Sequence, residues 1–222
     1  MNVYFISGLG ADSSVFRHIQ LPEGFQPHYL EWIKPNKEES LHHYALRLAA
    51  KINTTQPFIL LGLSMGGMIA VEIAKKYTAE CVILLSSIPV ASHLPKYYHW
   101  VGGLRRIIPI GFFIKASIVK RFFSMETSDD KRMLKYMIRR ADPSFIKWAM
   151  GAILEWDCKD APKNLVHIHG TADGILPCRF TLPQYKLKGA GHLAVLNRAN
   201  EINDILREIL LPFSVKGVSK TG

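Results

Sequence analysis

The stretch Gly62-Leu63-Ser64-Met65-Gly66-Gly67, GLSMGG, sits inside a longer apolar run, FILLGLSMGGMIAVEIA, that covers residues 58–74. A serine held between glycines in the greasiest part of the chain admits three readings: a transmembrane segment, a flexible buried kink, or a nucleophile on a forced turn. The first fails on length and charge. A spanning helix needs about 20 consecutive apolar residues, whereas this run has 17, contains three glycines and Ser64, and closes with Glu72 and Lys75-Lys76.

What lies on either side separates the other two. Phe58 to Leu63 is a continuous apolar run of strand length, and Ile69, Ala70 and Ile73 come after it in a helical pattern. A serine between such a strand and such a helix occupies a sharp turn, and the glycines provide clearance, because side chains at Gly62 and Gly66 would strike the neighbouring strand and helix. The turn holds Ser64 at a φ that costs about 1–3 kcal/mol. It also lifts the hydroxyl out of the sheet and points the Met65 N–H at the same space. The competing reading is a glycine-loosened strand end whose serine bonds its own backbone.

The rest of the chain suits a folded enzyme-sized body. Its 222 residues and 25.1 kDa fit one compact domain, or one domain with an insertion. A hydrophobic content of 48% with 21% charged residues is that of an ordinary globular protein. The amino terminus, MNVYFIS, has no basic region ahead of its apolar residues and no small-residue cleavage site, so no secretory signal is expected. Cys81, Cys158 and Cys178 are odd in number and lack CxxC spacing, which points to small buried or reduced thiols in a cytoplasmic setting and away from a disulfide or zinc framework.

The formal charge is +10, and residues 90–160 hold 13 Lys or Arg against 7 Asp or Glu. A basic surface favours anionic partners, yet no basic run interleaved with aromatics and no zinc-finger spacing is present, so no nucleic-acid partner is expected. Within this region LRRIIPIGFFIKASIVKRFF, residues 104–123, mixes bases with apolar residues. It reads as a cap helix with a solvated basic face in preference to a membrane-surface segment.

Short β-rich runs alternate with helical patterns. Val3 to Ile6, the weaker His28 to Trp32, Phe58 to Leu63, Val82 to Ser86, Leu165 to His169 and Gln184 to Leu187 read as strands, several of them continuous apolar runs of the kind covered on both faces. Leu41, Tyr44, Ala45, Leu48 and Ile52 form one helical stripe, with Ser40 as its cap. Asn197 to Leu210 forms another, stopped by Pro212. The pattern predicts an α/β fold with about six mostly parallel strands and right-handed crossovers.

Residues 90–160 interrupt the alternation as a helical insertion. One helix is expected from Ser128 to about Arg140, acids first and bases last as the helix dipole prefers. Another begins at Asp142-Pro143 and carries Phe145, Ile146, Ala149, Met150, Ile153 and Leu154 on one face. The expected organisation is a core of residues 1–89 and 161–212, a cap of 90–160 and a loose tail of 213–222.

A serine hydroxyl is a poor nucleophile until a histidine takes its proton and a carboxylate orients that histidine. Of nine histidines, His18, His28, His42, His43, His93 and His99 sit in no glycine-rich loop, and His167 and His169 alternate along a strand as packing residues would. His169, at the carboxyl end of that strand, is also placed to line a site. His192 differs, because Gly189-Ala190-Gly191-His192 is a small-residue loop after the last strand, where the loops of a parallel sheet converge. Asp173, in HGTADG after the preceding strand, is the matching acid; Asp157 and Asp160 precede their strand and fall on the wrong edge. The order Ser64, Asp173, His192, each after a strand, is that of one known triad arrangement. Backbone N–H groups of Met65 and of Leu9, in the loop Ser7-Gly8-Leu9-Gly10, are the candidate donors to an oxyanion. Asp12 and Ser13 are expected to cap the next helix.

The segments FISGLGADSSVF, LLGLSMGGMIA, HIHGTADGILP and KGAGHLAVLNRANEI resemble an α/β-hydrolase, of the small carboxylesterase-like kind with a helical cap, over residues 1–90 and 160–210. The resemblance implies Ser64 as nucleophile, His192 as base, Asp173 as its partner and Leu9 and Met65 as oxyanion donors. Many members have His-Gly where this chain has Ser7-Gly8, so the support of the oxyanion loop is expected to differ. The resemblance implies hydrolysis of a small-molecule carboxylic ester through an acyl-enzyme, with no metal and no organic cofactor. Phe112, Phe113, Phe122, Phe123, Trp148 and Trp156 hint at an apolar acyl or aromatic substrate, unless they are plain cap packing. A thioesterase or amidase would use the same residues, and a ligand-binding protein could keep the scaffold without the chemistry. An epoxide hydrolase or dehalogenase would place a carboxylate where Ser64 stands.

Overall fold

The computed structural model describes residues 1–98 and 142–214, with 132, 135, 136, 139 and 140 between them. The 104–123 stretch, the four cap phenylalanines, His99, the beginning of the helix expected from Ser128 and residues 215–222 lie outside the described residues; 132, 135, 136, 139 and 140 are helical.

Strands β1 (Asn2–Ile6), β2 (Gln26–Leu30), β3 (Phe58–Leu63), β4 (Cys81–Leu85), β5 (Leu165–Gly170) and β6 (Tyr185–Leu187) form one sheet in the order β2-β1-β3-β4-β5-β6. Every neighbouring pair is parallel. The helices are α1 (Leu41–Leu48), α2 (Met65–Lys76), α3 (Pro143–Leu154), α4 (Ala194–Asn197) and α5 (Ala199–Ser214).

Side chains alternate across a strand, and this divides the continuous apolar runs between two cores. Tyr4, Ile6, Phe58, Leu60, Val82 and Leu84 face α1, α2 and α3. Val3, Phe5, Ile59, Leu61, Ile83 and Leu85 face the other side, with Val15, Phe16 and the buried stripe of α5. Coverage on both faces is what makes these strands read as unbroken apolar segments. The strand order reverses between β1 and β3, so their carboxyl ends open a crevice at the sheet's switch point, where open α/β sheets bind ligands. Gly8 and Ser64 lie there.

Most strand boundaries agree with the sequence reading to within a residue, and β2 and α5 depart from it further. β2 is Gln26–Leu30, two residues earlier than expected, because it is an edge strand with only Leu30 buried and so lacks a strong apolar pattern. Trp32 falls outside it, and its indole N–H donates to the Ala11 carbonyl at 2.8 Å. Helix α5 runs through Pro212 to Ser214. A proline in the last turn removes one N–H donor whose acceptor lies at the exposed end of the helix, so it does not stop the helix there.

Helix starts agree with the expected caps. Ser40 accepts from the His43 N–H at 3.2 Å, and Asp142 accepts from the Ser144 N–H at 2.8 Å with Pro143 at the first helical position. Residues 142–158 pack onto the sheet body. Phe145 and Trp148 join Trp32 and Tyr44 in one aromatic cluster, and the Trp148 indole donates to the Glu39 carbonyl at 2.7 Å. Trp148 and Trp156 are therefore packing residues. The Tyr44 hydroxyl bonds both the carbonyl and the N–H of Ile33 at 2.9 Å, and its burial raises its pKa to about 12.

Glu72, on the buried face of α2, joins three elements. It accepts from the buried Trp156 indole at 2.7 Å, pairs with Lys75 at 2.7 Å and meets His42 Nδ1 at 2.7 Å. Burial alone would raise its carboxyl, but hydrogen bonds from Lys75, His42 and Trp156 outweigh that and hold it below the ordinary 4.5. A carboxyl depressed on folding contributes stability that is present above the unfolded pKa and lost as pH falls through the folded one. Replacing Glu72 with Gln is expected to lower stability near neutral pH by about 1–3 kcal/mol and to flatten the stability loss that the parent shows below about pH 4.5. Urea unfolding at a series of pH values reads this; parallel pH profiles for the two proteins would contradict it.

Among the described residues, no helix is long and apolar enough to cross a membrane, and no group of three or more His, Cys, Asp or Glu could hold a metal ion.

Candidate active site

Ser64 stands between β3 and α2 with φ 53° and ψ −121°, a left-handed backbone conformation that a serine adopts only under constraint. The constraint is steric. A Cβ added at Gly62 would lie 2.4 Å from the Gly66 carbonyl oxygen, and one at Gly66 would lie 2.2 Å from the Ile6 carbonyl oxygen. The turn closes only because both are glycine. Ser64 precedes the helix as a capping residue does, yet its side chain makes no capping bond. This removes the reading in which the hydroxyl is spent on its own backbone. Instead Ser64 Oγ lies 3.0 Å from His192 Nε2.

His192 is carried by the loop after β6, and Asp173 by the loop after β5. The two loops are tied by backbone bonds from Thr171 N–H to the Leu187 carbonyl (3.0 Å) and from Ala172 N–H to the Ala190 carbonyl (2.9 Å). Gly170 permits this, since a Cβ there would lie 2.2 Å from the Ala190 carbonyl oxygen. Asp173 Oδ2 then reaches His192 Nδ1 at 2.8 Å, while Oδ1 accepts from the N–H groups of Ile175 (2.8 Å) and Leu176 (2.9 Å). Both side chains are buried, whereas Ser64 is partly exposed. Burial alone would raise the Asp173 carboxyl, but the His192 charge and hydrogen bonds from His169 and His192 hold it well below the usual carboxylate range. Asp173 is thus an anion aimed at one imidazole nitrogen, and the other nitrogen meets a hydroxyl. Such a line can move a proton off Ser64 and back.

The oxyanion side is built from β1. A Cβ on Gly8 would lie 3.3 Å from the Ser64 Cβ, so the loop after β1 runs directly past the serine. Its shape is held by the Ser7 hydroxyl, which donates to the Ala11 carbonyl at 2.8 Å, and by the Ala11 N–H, which donates to the Gly8 carbonyl at 3.0 Å. Ser7 thereby supports the loop through Ala11. Leu9 is half-buried in this loop, and Met65 is the first residue of α2, where a backbone N–H has no acceptor within its own helix.

The structure brings Ser64, Asp173 and His192 into one hydrogen-bonded line, with the Leu9 loop beside the serine. It leaves Asp157 and Asp160 exposed and apart, pairs His42 with Glu72, and stacks His28 on Tyr4. Two neighbours of the site carry no motif. Ser87, fully buried after β4, donates to the Ser64 carbonyl at 2.6 Å and so helps hold the strained turn. His169 Nε2 lies 3.2 Å from Asp173 Oδ2; only its place at the carboxyl end of a strand, four residues before the acid, signals this.

Comparison with known proteins agrees with this architecture. The alpha/beta hydrolase family matches residues 3–205. No curated protein sequence matches the chain. Among solved structures, a thermophilic esterase from Thermogutta terrifontis superposes with a TM-score of 0.71 at 20% identity, covering 96% of this chain and 90% of that one. A hydrolase from Oleispira antarctica gives 0.72 at 14% identity, covering 95% and 90%. A lipase-esterase related protein from Clostridium acetobutylicum gives 0.67 at 15%, covering 94% and 93%. At these identities the likeness is one of fold.

Proposed function

The chain belongs to the alpha/beta hydrolase family, and from that premise we propose that it is a serine hydrolase cleaving a small-molecule carboxylic ester through an acyl-enzyme. The observation that carries this reading is the unbroken line Ser64 Oγ, His192, Asp173, built on a serine whose backbone is strained and whose hydroxyl is partly exposed.

In this reading His192 Nε2 takes the hydroxyl proton as Ser64 Oγ attacks the acyl carbon. Asp173 stays ionised, holds the imidazole with its other N–H inward, and stabilises the imidazolium. The carbonyl oxygen becomes an oxyanion facing the N–H groups of Leu9 and Met65. His192 then returns the proton to the leaving alcohol, and water releases the acyl group by the same steps in reverse order. No metal or organic cofactor enters these steps. Residues 90–160 act as the cap that selects the acyl group over a core of 1–89 and 161–212. The three free cysteines support a reducing, cytoplasmic setting.

A panel of activated esters of graded acyl length tests the reaction class and the substrate together. The expected result is a burst of alcohol release stoichiometric with enzyme, then slower turnover, with a clear chain-length preference. Hydrolysis of matched thioesters or amides with no ester turnover would contradict the ester assignment.

A further inference from the structure

Two histidines buried beneath Asp173 take no part in the proton transfer just described. His167 and His169 lie on β5 with relative exposures of 1% and 0%. The ring of His167 places Nε2 at 2.9 Å from His169 Nδ1, and His169 Nε2 lies 2.6 Å from the Leu176 carbonyl and 3.2 Å from Asp173 Oδ2. Thr181 Oγ1 is 3.3 Å from His167 Nδ1.

The acceptors fix the protons. Both neighbours of His169 Nε2 are oxygens without hydrogen, so that nitrogen carries the N–H, which it donates to the Leu176 carbonyl at 2.6 Å with Asp173 Oδ2 beside it at 3.2 Å. His169 Nδ1 is then an acceptor for His167 Nε2–H, and His167 Nδ1 accepts from the Thr181 hydroxyl. Burial, and next the neighbouring His169, drive the His167 pKa down to about 3, so this ring is neutral in the working range. The hydrogen bonds run in one direction, from Thr181 through both histidines to the Leu176 carbonyl beside the acid.

We propose that His169 is a positioning residue: its Nε2–H, 3.2 Å from Asp173 Oδ2, holds that oxygen in place and withdraws part of the carboxylate's charge from His192. The proposal rests on the serine-hydrolase reading and adds a second histidine to its acid. Its consequence has a definite sign. A carboxylate oxygen that gives up one donor puts more charge on the donor that remains. Loss of the His169 N–H therefore stabilises the His192 imidazolium and shifts the acid limb of activity to higher pH.

Among the described residues, the other ionisable groups facing this line do not compete in that window. His93 faces His167, and burial holds it down. Tyr97, Tyr98 and Cys178 face Asp173 and are all raised, chiefly by burial. Lys186 lies opposite His169 in the register of β5 and β6.

The test is the pH dependence of inactivation by a fluorophosphonate probe, which needs no knowledge of the substrate. In His169→Asn the shorter amide still offers an acceptor to His167 but cannot reach Asp173, whereas His169→Gln carries a donor out to the Nε2 position. His169→Asn is expected to move the acid limb up by about half a unit to one unit and to lower the plateau rate by about tenfold. His169→Gln is expected to restore the limb to the parent position. A limb that stays in place in His169→Asn, with only the plateau reduced, shows a merely structural role and overturns the proposal. Ring-nitrogen NMR of the parent gives an independent check that does not depend on the variants folding: His169 must be protonated at Nε2 throughout the pH range of the limb, and a bare Nε2 overturns the proposal. A parent inert to the probe overturns this proposal and the hydrolase reading together, while a reactive parent with an unmoved limb overturns this one alone.

Discussion

Replacing His192 with alanine is expected to slow ester hydrolysis by about 10⁴-fold or more while leaving the fold intact. Ser64 Oγ meets His192 Nε2 at 3.0 Å, whereas the contacts of His169 are with His167, Leu176 and Asp173. Among the described residues, no other base hydrogen-bonds this hydroxyl. The fold should survive because Asp173 keeps the Ile175 and Leu176 N–H groups and His169 as partners, so no buried charge is orphaned. Steady-state kcat/KM on the preferred ester, with circular dichroism as the control, reads the effect. A loss of less than about tenfold would mean that the line is not the proton path.

The second large effect is on the fold. Gly66→Ala is expected to destabilise by about 3 kcal/mol or more, since an overpacked backbone contact has no flexible side chain to yield. The new Cβ would lie 2.2 Å from the Ile6 carbonyl oxygen and 2.3 Å from that of Ser7, so β1 and α2 must separate. Their separation also displaces the loop that carries Leu9, and activity should fall with stability. Gly24→Ala is the matched control: its φ is +86° but nothing lies within 4 Å of the added atom. It should cost only the conformational term, about 1 kcal/mol. Equal unfolding midpoints for the two variants would show that clearance at Gly66 is not what shapes the turn.

The parts of this protein that are legible in its sequence are those where one physical constraint dominates. The continuous apolar runs read as strands at Phe58 to Leu63 and from Val82 are those of strands covered on both faces, and they fill two cores in alternation. GLSMGG is legible because glycine at two fixed positions is the only way the turn closes. The edge strand β2 is harder to place, since only Leu30 of its five residues is buried and position within it leaves little mark on residue type. Pro212 misleads because its effect depends on where in a helix it falls, and the sequence pattern does not set the length of α5. His169 is the most instructive case. Along the strand, His167 and His169 alternate as packing residues do, and only the folded loop, which returns Asp173 to 3.2 Å from His169, separates packing from positioning. Ser87 belongs with it: a serine after β4 carries no motif, and its bond to the Ser64 carbonyl exists only in the assembled sheet.

The central claim is that Ser64 is a nucleophile. Treating the protein with a fluorophosphonate and locating the adduct by mass spectrometry tests it directly. The expected result is a single adduct on the peptide that carries Ser64, absent from the Ser64→Ala variant. An unlabelled parent, or an adduct that persists in Ser64→Ala, would contradict it.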